Sequence, residues 1–74
     1  MENQSIETIF KINLKKLRTD AKLTKSEAAD NIGITRGYYH TLENNSKHKT
    51  PSFHTLERIS AYYHIAVKEL FNEP

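Results

Sequence analysis

Gly33 stands four residues after Ala29, one before Ile34, and six and nine before Tyr39 and Leu42. That spacing leaves the chain few choices. Where two short helices reverse within about three or four residues, glycine supplies the left-handed conformation without steric cost. Four residues earlier, a side chain larger than Ala29 would hold the two helices apart. Ile34, Tyr39 and Leu42 fall where they anchor the second helix from beneath. The punctuation agrees: Thr24-Lys25-Ser26-Glu27 matches the capping box, and Thr35 is a second good N-cap. With Ala28, Ala29 and Ile32 as an inner face, the pattern predicts helices over 25–32 and 36–44 joined by a tight turn.

The rest of the chain also reads as helix. Ile6, Phe10, Leu14, Leu17 and Ala21 recur in steps of three and four, predicting a first helix over about 5–21. Asn45 is placed to cap the end of 36–44, since asparagine tolerates positive φ, and a polar loop runs on to Thr50. Thr50-Pro51 reads as a cap followed by proline at the first helical position, opening a fourth helix over 51–63. Phe53, Leu56, Ile59, Ser60 and Tyr63 are expected to face the core. A short fifth helix is expected at about 67–71, with Ile65 and Leu70 turned inward. Val67 and Phe71, four apart on one side, are left as an exposed apolar pair. The expectation is an all-α, compact five-helix domain, one domain over 1–74, with no repeats or linkers.

Composition narrows the function. With 74 residues and no cysteine, neither disulfides nor thiolate-bound metal can staple the fold. No apolar stretch approaches the roughly 20 residues of a membrane span, and Glu2, Asn3, Gln4 and Glu7 do not make a leader pattern, so a cytoplasmic protein is expected. Charge is placed rather than abundant. Residues 11–49 carry nine Lys/Arg against four acids, although the whole chain is only +2. A basic middle with an acidic C-terminal end suits one face that meets phosphate and another that does not. Four histidines (His40, His48, His54, His64) lie in no metal-ligand spacing, and no nucleophile or phosphate-loop motif is present. No enzyme activity, cofactor or metal is therefore expected.

Leu17-Arg18, Leu23 to Ala29, Ile32 to Arg36, Leu42-Glu43-Asn44, Pro51 to Ser60 and Ile65 to Phe71 together resemble the Cro/phage-repressor (Xre-type) helix-turn-helix family. The resemblance implies DNA binding and transcriptional regulation. It also implies that Arg18, late in the first helix, pairs with Glu43. Several positions depart from the family's pattern: Gly37 and His40 are unusual in the recognition helix, and the 45–50 loop is about two residues longer than usual. Lys25 stands where glutamine is usual, keeping a point charge for phosphate but losing two-sided hydrogen bonding. Asn45 and His64 stand where glycine is common.

Geometry then sorts the candidate contacts. At about 100° per residue, Arg36, Gly37, His40, Thr41 and Asn44 share an arc of about 140°, with Tyr39 and Leu42 opposite. The anchored face cannot turn outward, so the other face is what a major groove meets. Arg36 is the candidate guanine reader, through a bidentate fork to O6 and N7. His40 and Thr41 are candidates for a base edge or a thymine methyl, and Gly37 lets the helix approach the bases. Helix N-termini and the loop supply the candidate phosphate contacts: Thr24, Lys25, Thr35, Tyr38, Lys47, Lys49 and Ser52. Val67 and Phe71 are the candidate dimer interface, because one helix reads too few base pairs to single out a site in a genome. The partners expected are double-stranded DNA and a second copy of the chain. The rival is an antitoxin or antirepressor that uses the same fold to hold a protein; a further partner-binding segment would mark it, and none is read up to Pro74.

Overall fold

A computed structural model describes residues 5–74. Residues 1–4, which include the leader reading at Glu2, Asn3 and Gln4 and the start of the 1–74 domain assignment, lie outside the described residues. Each helix begins on the hydroxyl its sequence offers. Ser5 caps α1 (Ile6–Asp20) by accepting from the Thr8 amide. Thr24 and Glu27 close a two-way capping box on α2 (Lys25–Ile32). Thr35 caps α3 (Arg36–Glu43). Ser52 caps α4 (Phe53–Tyr63). The core draws on all of them: Phe10 and Leu14, then Ala28, Ala29 and Ile32, Tyr39 and Leu42, Leu56 and Ile59, and Leu70 from the end of the chain. Among the described residues no helix is long and apolar enough to cross a membrane.

The tight turn is built as its spacing requires. Gly33 has φ 93°, and its amide and that of Ile34 both donate to the Ala29 carbonyl. Elsewhere the structure corrects the expectations. Among the described residues there are four α-helices rather than five, because Val67–Phe71 is a 3₁₀ helix. So short a segment gains little from the α ladder, and the Leu70 and Asn72 carbonyls instead accept from Asn13 Nδ2 of α1 at 2.8 Å each. Helix α4 does not open at Thr50-Pro51. Ser52 accepts from the Thr55 amide at 3.1 Å while its own amide donates to the Tyr38 hydroxyl at 3.4 Å, so Pro51 falls before the cap.

Asn45 is no left-handed cap either: α3 stops at Asn44 in extended backbone. The Lys11 ammonium from α1 donates to the Thr41 and Leu42 carbonyls at 3.2 and 3.1 Å, so carbonyls at this helix end find a partner without a left-handed residue. Left-handed non-glycine backbone occurs instead at Lys22 (φ 62°), one residue past the Ala21 cap of α1, and at His64 (φ 57°), the cap of α4. Finally, the apolar stripes overrun the core. Ala21 is exposed, Tyr63 is only half-buried, and Ile6 and Phe53 are 61% and 85% exposed. Ile6 and Phe53 are the first residues of α1 and α4, and they overhang a groove floored by Phe10 and Leu56.

Candidate nucleic-acid interface

Helix α3 is fastened from one side. Tyr39 and Leu42 have no exposed surface. Beside them, Arg18 reaches Glu43 with two bonds, Nε to Oε2 at 2.8 Å and Nη2 to Oε1 at 3.2 Å, and its Nη1 donates to the Leu23 carbonyl at 3.0 Å. The Tyr39 hydroxyl donates to the same Glu43 Oε2 at 2.5 Å. One arginine thus ties the end of α1 to the lead-in of α2 and to α3. The Glu43 hydrogen bond raises the Arg18 pKa. Burial first, and then the bond to Glu43, push the Tyr39 phenol far above its ordinary range, so the hydroxyl stays a donor. With its inner side held this way and its C-terminal carbonyls on Lys11, α3 can offer only the opposite side to a ligand.

That opposite side carries Arg36, Gly37, His40 and Asn44, all exposed. A β-carbon on Gly37 would find nothing within 4 Å, so the position is open toward solvent. Thr41 is less available than its place on the arc suggests. It is half-buried, and its hydroxyl donates back to the Tyr38 carbonyl at 2.6 Å. Arg36 is exposed but not free: its Nε and Nη2 donate to Asp30 Oδ1 and Oδ2 at 3.2 and 2.7 Å. The mutual hydrogen bonding lowers the Asp30 pKa and raises that of Arg36.

The candidate phosphate contacts fall into two groups. Lys47 and Lys49 are exposed in the loop after α3 and, with Thr41 and His48, line a shallow depression. Lys25, half-buried at the start of α2, lies in a cleft with Lys15, Lys16 and Arg18. The hydroxyl candidates are already engaged: Thr24 with Glu27, Thr35 with the Tyr38 amide and Ser52 with Thr55. Tyr38 is a strut rather than a free contact. Its half-buried ring sends the hydroxyl to Thr55 Oγ1 at 3.2 Å and accepts from the Ser52 amide, bracing α3 on α4.

The pair Val67 and Phe71 is not left exposed. Both are half-buried, and the Phe71 ring stacks on Phe10 with centroids 5.8 Å apart. Exposed apolar surface lies instead at Ile6 and Phe53, on the groove that Phe71 also lines. Sequence reasoning missed Lys11 and Asp30. Only Asp30 leaves a signal: an acid near the C-terminal end of α2, where the helix dipole disfavours negative charge, needs a local reason.

Comparison with known proteins gives the family and the fold. The sequence profile of the helix-turn-helix family matches residues 14–70. A search of curated protein sequences gave no match. Among solved structures, the chain is similar to the hypothetical transcription factor NHTF from Neisseria, at 20% identity and a TM-score of 0.84, covering 93% of this chain and 75% of that one. It is also similar to the clp gene regulator ClgR from C. glutamicum, at 20% identity and a TM-score of 0.73, covering 92% and 86%. At that identity the likeness speaks for the fold, whereas the profile match spans more than half of the chain. This chain belongs to the Cro/phage-repressor type of helix-turn-helix family, whose members are DNA-binding transcription regulators.

Proposed function

We propose that the chain regulates transcription by binding a palindromic operator as a homodimer, with α3 of each copy in the major groove. The observation that carries this reading is the asymmetry of α3. Its inner side is locked into the core and onto Arg18, while Arg36, Gly37 and His40 stand exposed opposite. Arg36 reads guanine, His40 and the Thr41 methyl touch neighbouring base edges, and Gly37 lets the backbone sit close. Lys25, Lys47 and Lys49 carry the phosphate contacts, joined by the helix starts at Thr24, Thr35 and Ser52. Tyr38 serves by holding α4's start against α3 rather than by touching phosphate with a free hydroxyl.

A two-fold dimer sets two recognition helices about 34 Å apart in successive major grooves. The interface moves from the half-buried Val67 to the apolar groove that Phe71 shares with the exposed Ile6 and Phe53, a surface that a second copy would cover. Arg36→Ala tests the reading. Affinity for the specific site is expected to fall about 5- to 150-fold, with preference relaxed at one position of each half-site. Equal losses on specific and random duplexes would reduce Arg36 to a phosphate contact. Sedimentation with the specific duplex is expected to give two chains per site; one chain would leave the interface without support.

The exposed Ile6 and Phe53 favour a second reading, in which the same fold holds a protein partner. Salt separates the two: DNA binding weakens steeply with added salt, whereas an apolar protein contact does not.

A further inference from the structure

The Arg36 guanidinium has five N–H donors in one plane. Asp30 takes those along one side of the fork, Nε–H and one N–H of Nη2. What remains includes one N–H from each terminal nitrogen, side by side at the tip of a side chain that is 62% exposed. Those two are the parallel donors that fit guanine O6 and N7. The carboxylate and a guanine therefore need not compete, because they use different edges of the same plane.

We infer that Asp30 is a specificity-determining residue: from the last turn of α2, across the turn at Gly33, it locks the Arg36 fork and presents its tip to a guanine. This rests on the reading of Arg36 as a base contact and adds to it the group that aims it.

Asp30 has little to do for the fold. An ion pair whose side chains are 62% and 53% exposed contributes little to stability. Its place near the C-terminal end of α2, where Gly33 caps the helix, works against the helix dipole. Held by both carboxylate oxygens, however, a long and otherwise mobile side chain loses its rotamer freedom before DNA arrives, so less is lost on forming the base contact. The carboxylate also takes two of the five donors that would otherwise be open to phosphate, and its charge repels the duplex backbone wherever no guanine repays the approach. Both effects act on discrimination rather than on raw affinity.

The test compares Asp30→Ala, Asp30→Asn, Arg36→Ala and the Asp30→Ala/Arg36→Ala double variant. Each is titrated against the selected operator, the operator with the guanine opposite Arg36 replaced, and a random duplex. Asp30→Ala is expected to cut guanine discrimination by about 3- to 10-fold, part of the roughly 5- to 150-fold carried by the whole fork. Binding to random duplex should hold or tighten. Asp30→Asn, which keeps the shape but only one acceptor oxygen, should fall between parent and Asp30→Ala. The double variant should discriminate no worse than Arg36→Ala alone, and melting followed by circular dichroism should stay within a few degrees of the parent.

If Arg36→Ala abolishes the preference while the Asp30 variants keep it in full, the inference is overturned and the base-reading role stands. If Asp30→Ala tightens operator binding more than random binding, Asp30 sequesters Arg36 and the inference is again overturned. If Arg36→Ala leaves the preference intact, the underlying reading fails and the inference with it.

Discussion

On its inner side, α3 seats Tyr39 and Leu42 in the core and gives Glu43 to both Arg18 and Tyr39. On its outer side, Arg36, Gly37 and His40 meet solvent, and Arg36 is held by one exposed carboxylate. The inner side is fixed by many short contacts that no ligand can exchange. The outer side is fixed by few, so a duplex can replace water there without unfolding anything. Substitutions on the two sides should accordingly separate stability from binding.

Glu43→Ala is the largest expected effect. The Glu43 side chain is 1% exposed and that of Arg18 12%, so its loss leaves a nearly buried guanidinium unpaired. Breaking one half of such a pair costs about 3–5 kcal/mol, lowering the melting temperature by more than about 10 °C in a domain this small. A melting temperature within a degree or two of the parent would mean the pair contributes nothing. Gly33→Ala comes next. With φ at 93°, a β-carbon is strained by about 1–2 kcal/mol. The steric neighbour, Arg58 Nη1 at 2.6 Å, is the mobile end of a long side chain and can move aside. Chemical denaturation should show that smaller loss, and an unchanged midpoint would contradict the turn geometry.

The other glycine should behave in the opposite sense. Gly37 lies in α3 with open space around it, so Gly37→Ala should stabilise the protein by about 0.5–1 kcal/mol. On the proposed interface the same methyl meets the bases, so operator affinity should fall. A gain in stability with unchanged affinity would take residue 37 off the interface. The smallest effects belong to Lys47→Ala and Lys49→Ala. Each should leave the melting temperature alone and flatten the salt dependence of binding by about one unit; an unchanged slope would return the lysine to bulk solvent.

How much of this was legible in the sequence follows the same division. Local rules wrote α2, the turn and α3: a capping box at Thr24, a glycine at residue 33, a hydroxyl at Thr35. They failed where distant residues decide. Thr50 and Ser52 are both plausible caps, and Ser52's place is fixed partly by its bond to Tyr38, a contact no periodicity encodes. Lys11 reads as one more solvated cation, yet it reaches carbonyls 30 and 31 residues away. Phe53 shares a helical side with Leu56, but its neighbours run out at the edge of the core. At the site, helical periodicity placed Arg36, Gly37 and His40 on the exposed side of α3, but it encodes neither the strut made by Tyr38 nor the carboxylate on Arg36.

On the proposed reading, the outward face of α3 reads base sequence twice, once per copy. Selection of bound sites from random duplex DNA, run in parallel with the parent chain and Arg36→Ala, tests it most directly. The expected product is an inverted repeat with half-site centres about 34 Å apart, one turn of the duplex. Each half should carry a guanine that the parent requires and the variant does not. A pool that stays random, or a consensus that Arg36→Ala leaves untouched, would contradict it.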